Sequence, residues 1–182
     1  KIKLNTKHVY SKGMFENVCL AIKVALDLNV DKKTIQKTLP LLSFEGRFQY
    51  LNRGKIKNKL YRNETIMIDG AHAPTDAQNL AAYLKNINIP KYGIWAMTKN
   101  KEPDLFIKQL KGIFKKIVAM PIENEPSSVS ANALYKVAIK NKFKVEKSGN
   151  FTEALKKISS KEKKLIVCFG SLYNCGNILN KN

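Results

Sequence analysis

From Gly46 onward the sequence repeats one theme: a short apolar run, a turn, then an amphipathic stretch with helical spacing. Residues 65–68, Thr-Ile-Met-Ile, read as a buried strand, and Pro74 with Thr75 opens the helix that follows. The same pattern predicts strands at 48–52, 59–62, 92–97, 116–120, 143–146 and 165–169. Helices are predicted at 76–85, after Pro103, at 131–140 and at 152–158. Strands separated by helices of this length require right-handed crossovers. The expected fold is therefore α/β: a Rossmann-like, three-layer domain with a mostly parallel sheet.

In such a sheet the loops diverge at the carboxyl ends of the strands, and ligands bind there. Asp69, the loop 98–102 and Ser171 each follow a predicted strand, so the topology brings them to one edge. Asp69 and His72 place an acid and an imidazole in the turn after 65–68; the competing reading makes Asp69 a helix cap and His72 an ordinary turn residue. Arg47, in Glu-Gly-Arg-Phe-Gln, sets a planar, permanently charged fork beside a flexible glycine, which suits phosphate binding. A surface arginine paired with a carboxylate is the alternative. Lys101 is a candidate phosphate or carboxylate partner, or simply one solvated lysine among many.

The formal charge of +19 would ordinarily suggest nucleic acid or an anionic surface. Arginine, however, occurs only at 47, 53 and 62, and the lysines are spread along the whole chain with abundant Asn and Ile. Such a surface attracts polyanions without specificity at low salt, so no specific nucleic-acid partner is expected. Cys19, Cys168 and Cys175 lack paired spacing, and His8 and His72 are the only histidines, which supports neither a disulfide framework nor a metal site. No apolar run is long enough to span a membrane, and a reduced, cytoplasmic setting fits best.

Residues 1–10 alternate weakly, as an edge strand would, and Met14 to Leu28 carries helical spacing through Val18, Ala21, Ile22, Ala25 and Leu28. Asp31 caps a short helix that Pro40 stops. These pieces cannot enclose a core of their own. They read as residues 1–43 of a preceding domain, with 44–182 forming the next, in a chain that begins at Lys1 and looks like an excerpt. No phosphate loop is present: at the one Gly-Lys pair, Gly54-Lys55, Gln49 stands where the first glycine belongs and Ile56 where the hydroxyl belongs.

Gly-Arg-Phe-Gln at 46–49, Ile-Asp-Gly-Ala-His-Ala-Pro at 68–74 and Phe-Gly-Ser-Leu-Tyr at 169–173, in that order, closely resemble the C-terminal part of folylpolyglutamate synthase/dihydrofolate synthase, in the Mur ligase superfamily. The resemblance covers essentially the whole chain. It implies a Mur ligase C-terminal domain preceded by the tail of the central ATPase domain, in an ADP-forming amide ligase. ATP would phosphorylate a folate or dihydropteroate carboxylate, and the amino group of L-glutamate would attack the acyl phosphate. Arg47 would reach the ATP phosphates, Asp69 would contact the nucleotide, and His72 and Ser171 would position glutamate or the reacting centre. ATP and Mg2+ are the implied cofactors, with the magnesium ligands and phosphate loop in an N-terminal ATPase domain, so the isolated chain, expected as a monomer, should not turn over.

Departures temper the match. Ala73 stands where the family usually carries Asn, and Phe15, Glu16 and Cys19 replace the His, Gln and Asn of a helix opening. The Asp-Lys-Asp loop appears as Asn100, Lys101 and Glu102. An inactive remnant of a split ligase gene is the alternative these changes motivate, and a basic nucleic-acid-binding α/β module is a more distant one.

Overall fold

The computed structural model describes residues 2–182, which divide into two compact units, the first ending at Glu45 and the second Gly46–Asn182. In the first, helix α1 (Lys12–Asp27) is capped by Ser11, whose Oγ accepts from Met14 N. Helix α2 (Lys32–Thr38) is capped by Asp31, which accepts from Lys33 N and Thr34 N. Pro40 then sits in a single 3-10 turn, Leu39–Leu41. Val18, Ile35 and Leu39 form a small core, with Ile2, Val9 and Ile22 packed on it. The edge strand expected over residues 1–10 does not form among 2–10, because this unit offers no strand to pair with and Ile2 and Val9 pack on helices instead.

The second unit is a six-stranded sheet with β1 (Gln49–Tyr50), β2 (Glu64–Asp69), β3 (Lys91–Trp95), β4 (Lys116–Ala119), β5 (Val145–Lys147) and β6 (Lys164–Phe169), in the order β1-β2-β6-β3-β4-β5. Only β1 runs antiparallel to its neighbour; every other pairing is parallel. The helices are α3 (Lys55–Asn58), α4 (Pro74–Lys85), α5 (Pro103–Lys108), α6 (Ala131–Lys140), α7 (Phe151–Ile158) and α8 (Leu172–Lys181). Residues alternate across the sheet. Ile66, Ile68, Ile166 and Cys168 meet α7 and α8 through Phe151, Leu155, Cys175 and Ile178, while Phe169 projects to the opposite side and stacks on Phe106 of α5 and on Phe114. Helices on both faces make the three layers.

The strand expected at 59–62 is replaced by the single turn of α3 and a following turn, Leu60 N donating to Lys57 O at 3.1 Å. The edge of β2 is already taken by β1 and by Leu51 N, which donates to Ile66 O at 3.1 Å. The strand expected at 48–52 shrinks to Gln49–Tyr50 because Phe48 has a φ of 47°, outside the extended region. Helix α8 has no counterpart among the expected elements.

Candidate functional site

The register sets Asp69 opposite Phe169 and Phe169 opposite Trp95, so β2, β6 and β3 end at one level. Their loops carry Gly70–His72, Gly170–Ser171 and Thr98–Lys101 to the same edge, the clustering expected from the topology.

Asp69 lies beneath this edge, 1% exposed. Its Oδ2 accepts from Phe48 N at 2.8 Å and its Oδ1 from Ala71 N at 2.7 Å. Burial pushes its pKa up to about 6, against the opposing pull of those two bonds and of the Arg47 charge. Arg47 stands between two left-handed residues, Gly46 at φ 67° and Phe48 at φ 47°. Such a reversal turns the intervening side chain away from the strand. Gly70 N donates to Gly46 O at 2.6 Å, and the Phe48 ring meets Tyr83 edge-on at 4.9 Å. The guanidinium of Arg47 itself makes no hydrogen bond or ion pair among the described residues, so its donors are available to an anion.

His72 Nδ1 lies 2.8 Å from Gly70 O, and a carbonyl only accepts, so Nδ1 carries the proton. In the neutral ring Nε2 then bears the lone pair. Ala73 at the N-cap of α4 has no side-chain acceptor, and Asp76 compensates, taking His72 N and Ala73 N at 3.2 Å each. Ser171 caps α8, its Oγ accepting from Tyr173 N at 3.1 Å, which leaves the hydroxyl hydrogen free to donate.

These loops enclose a cleft of about 260 Å3 lined by His72, Thr98, Asn100, Lys101, Ser127 and Ser171, completed by Leu172 and Tyr173. It brings together three of the sequence candidates, His72, Lys101 and Ser171. Arg47 and Asp69 are not part of its lining. Lys101 is partly buried and has no carboxylate partner among the described residues. Thr98 Oγ1 donates to Asn100 Oδ1 at 2.7 Å, and Ser127 Oγ donates to Glu125 Oε1 at 2.6 Å. Asn100 comes with the loop 98–102 expected at this edge, whereas Ser127 enters the site through pairing between two loops, Lys99 N donating to Ser127 O at 2.7 Å, for which the sequence carries no periodic signal. Near the same edge Trp95 Cδ1 would lie 2.9 Å from a Cβ on Gly170, and Trp95 Nε1 is buried with no partner among the described residues.

No group of three or more His, Cys, Asp or Glu side chains among the described residues is placed to hold a metal ion. Cys168 and Cys175 are buried thiols whose pKa values burial raises, Cys175 to about 12, which makes them poor nucleophiles. No helix among the described residues is long and apolar enough to cross a membrane.

Residues 52–181 match the family model described as dihydrofolate synthetase, C-terminal domain. No curated protein matches the chain. Among solved structures, the chain is similar to Mycobacterium tuberculosis folylpolyglutamate synthase complexed with ADP and AMPPCP, with 18% identity and a TM-score of 0.81 over 97% of this chain and 41% of that one. It is also similar to E. coli FolC in complex with DHPP and ADP, at 18% identity and a TM-score of 0.74 over 97% of this chain and 40% of that one. A folylpolyglutamate synthase from Thermotoga maritima gives 24% identity and a TM-score of 0.68 over 93% of this chain and 38% of that one. The chain therefore spans about two fifths of the length of these structures.

Proposed function

From the premise that the chain belongs to the dihydrofolate synthetase C-terminal domain family, we propose that it supplies the glutamate side of an ATP-dependent, ADP-forming ligase. Its cleft receives L-glutamate for addition to a folate or dihydropteroate carboxylate activated as an acyl phosphate. An N-terminal ATPase domain contributes the phosphate loop and the magnesium ligands; residues 1–43 are the end of its central fold and 44–182 the ligase domain. The observation that carries this reading is the partly buried, carboxylate-free Lys101 sharing one cleft with His72 and Ser171.

Each residue then has a physical task. Lys101 attracts a carboxylate of the incoming amino acid, and the Ser171 hydroxyl donates to the substrate or to the developing oxyanion. His72 Nε2 accepts a proton from the glutamate ammonium, since only the free amine attacks an acyl phosphate. Arg47 neutralises charge spreading over the transferred phosphoryl group. Asp69, with both oxygens held by main-chain donors, is assigned to shaping the Arg47 loop rather than to touching the nucleotide. ATP, when bound, supplies the activating phosphoryl group. Exclusion of water from the cleft protects the acyl phosphate from hydrolysis.

The test mixes the 182-residue chain with a separately expressed N-terminal ATPase half, supplies ATP, Mg2+ and a folate or dihydropteroate, and follows ADP release with and without L-glutamate. Glutamate-dependent ADP release is expected only in the mixture, with Arg47→Ala lowering it on the order of a hundredfold or more. Release from the chain alone, abolished by Asp69→Ala, would overturn the division of labour. No release from any mixture would favour an inactive remnant of a split gene.

A further inference from the structure

The turn that carries His72 is held at both ends. Each main-chain donor between β2 and α4 has an acceptor. Gly70 N donates to Gly46 O at 2.6 Å, Ala71 N to Asp69 Oδ1 at 2.7 Å, and His72 N and Ala73 N both to Asp76 Oδ2 at 3.2 Å. Pro74 has no N–H to place. Asp69 therefore fixes the strand side of the turn and Asp76 the helix side. With Ala at the N-cap of α4, no side chain at 73 can share that work. Asp76 also bears on the ring. Its Oδ2 lies 3.9 Å from His72 Nδ1, and Gly70 O lies 2.8 Å from the same nitrogen. A carboxylate and a carbonyl both only accept, so the proton stays on Nδ1 and the lone pair on Nε2. The two side chains are 29% and 33% exposed, which leaves the pair partly shielded from water.

We propose that Asp76 is the positioning residue for His72: it pins the main chain of that residue, keeps the lone pair of the neutral ring on Nε2, and stabilises the ring once it has gained a proton. The inference rests on the reading of His72 as the base that deprotonates the incoming amine. In that step a proton passes from the ammonium nitrogen to Nε2, the amine keeps the electron pair that attacks the acyl phosphate, and the imidazole becomes an imidazolium. Lys101, the other cation lining the cleft, opposes this new positive charge. The Asp76 carboxylate, 3.9 Å from the ring, offsets it.

The experiment first reads the ring itself, without substrate. His8 and His72 are the only histidines, so imidazole 15N NMR spectra of the 182-residue chain, taken above the ordinary histidine titration range, report each one. Wild type should show His72 protonated on Nδ1. Asp76→Asn keeps an oxygen for the two amides and should retain that signature. Asp76→Ala releases them and should give a mixture of tautomers, with His8 unchanged in both variants. A wild-type His72 signature in Asp76→Ala would reduce Asp76 to a helix cap and overturn the inference. The second measurement follows glutamate-dependent ADP release in the mixture with the ATPase half, ATP, Mg2+ and a folate or dihydropteroate. Asp76→Asn, which lacks only the charge, should lower kcat on the order of tenfold and leave the KM for L-glutamate within about twofold. Unchanged kcat in Asp76→Asn would overturn the stabilisation of the protonated ring. A changed tautomer in Asp76→Ala with unchanged kcat would instead overturn the reading of His72 as the base and leave its positioning by Asp76 standing.

Discussion

Asp69 is held in two opposed ways. Phe48 N and Ala71 N stabilise its charged form, whereas its burial disfavours any charge, and burial prevails, raising the pKa from 3.8 to about 6. A raised carboxyl pKa means that the native state keeps a proton the unfolded chain has already released. The resulting stabilisation is complete below pH 3.8 and is lost as pH rises through about 6, a change of roughly 3 kcal/mol. The expected outcome is that urea unfolding between pH 4 and 7 contains a loss of stability from this group, and that Asp69→Asn, which keeps an acceptor oxygen but cannot ionise, flattens that segment. An identical pH profile in the variant would refute it. The sequence places an acid after β2 but does not reveal this balance, because burial and the donor from Phe48 come from a loop 21 residues upstream. A similar long-range cause explains Phe48: its left-handed backbone, which costs about 1–2 kcal/mol in an L-residue, is offset by its bond to Asp69 and its contact with Tyr83. Arg47 is aimed by that strain.

At the level of elements, helix α8 sets the back of the cleft through Leu172. Its side chain fills the space above Gly70, so that a Cβ there would overlap Leu172 Cδ2 and Cγ, and a Cβ on Gly46 would come within 3.2 Å of Leu172 and 3.1 Å of Cys175. The two glycines of the Gly-Arg-Phe and Asp-Gly-Ala-His motifs are therefore spaces for one leucine. Gly70→Ala should push the start of α8 outward, costing on the order of 1–3 kcal/mol in thermal unfolding, and Gly70→Ala with Leu172→Ala should recover part of that loss. If the double variant were no more stable than Gly70→Ala alone, Leu172 would not be the obstacle. Elements with a strong period were legible in sequence: β2, β6, α4 and α6 lie within a few residues of their expected bounds. Helix α8 was not, because Leu-Tyr-Asn-Cys-Gly-Asn-Ile-Leu-Asn-Lys mixes Gly176 with several poor helix formers and gains its stability from burying Cys175 and Ile178 against the sheet. Residues 59–62 misled for the converse reason, since their short apolar alternation had no free strand edge to join. The candidate site was legible where a motif residue follows a strand, as with His72, Lys101 and Ser171. Ser127 became visible only when the pairing of two loops, Lys99 N donating to Ser127 O, placed it on the same wall as the 98–101 loop.

For the whole molecule, the decisive surface is apolar rather than charged. Thirty-three basic residues against fourteen acidic ones give a strong positive field, but such attraction is screened at physiological salt and selects no partner. Helix α1 is different. Val18, Ile22 and Ala25 face the small core of the first unit, and Leu20, Val24 and Leu28, four residues apart, form a second apolar stripe that is 64%, 49% and 72% exposed. A helix apolar on two faces belongs in an interior, and lone solvated helices rarely carry such a stripe. Under the proposed function, the N-terminal ATPase half is the partner that would cover this stripe. Leu20→Glu with Leu28→Glu touches side chains that are already exposed, so the melting of the chain alone should move by no more than about 0.5 kcal/mol. The same pair would bury two carboxylates if the ATPase half packs there, and the concentration of that half needed for glutamate-dependent ADP release should rise at least tenfold. Unchanged complementation by the double variant would mean that the stripe faces solvent in the assembled ligase, and that the ATPase half packs against another part of this chain.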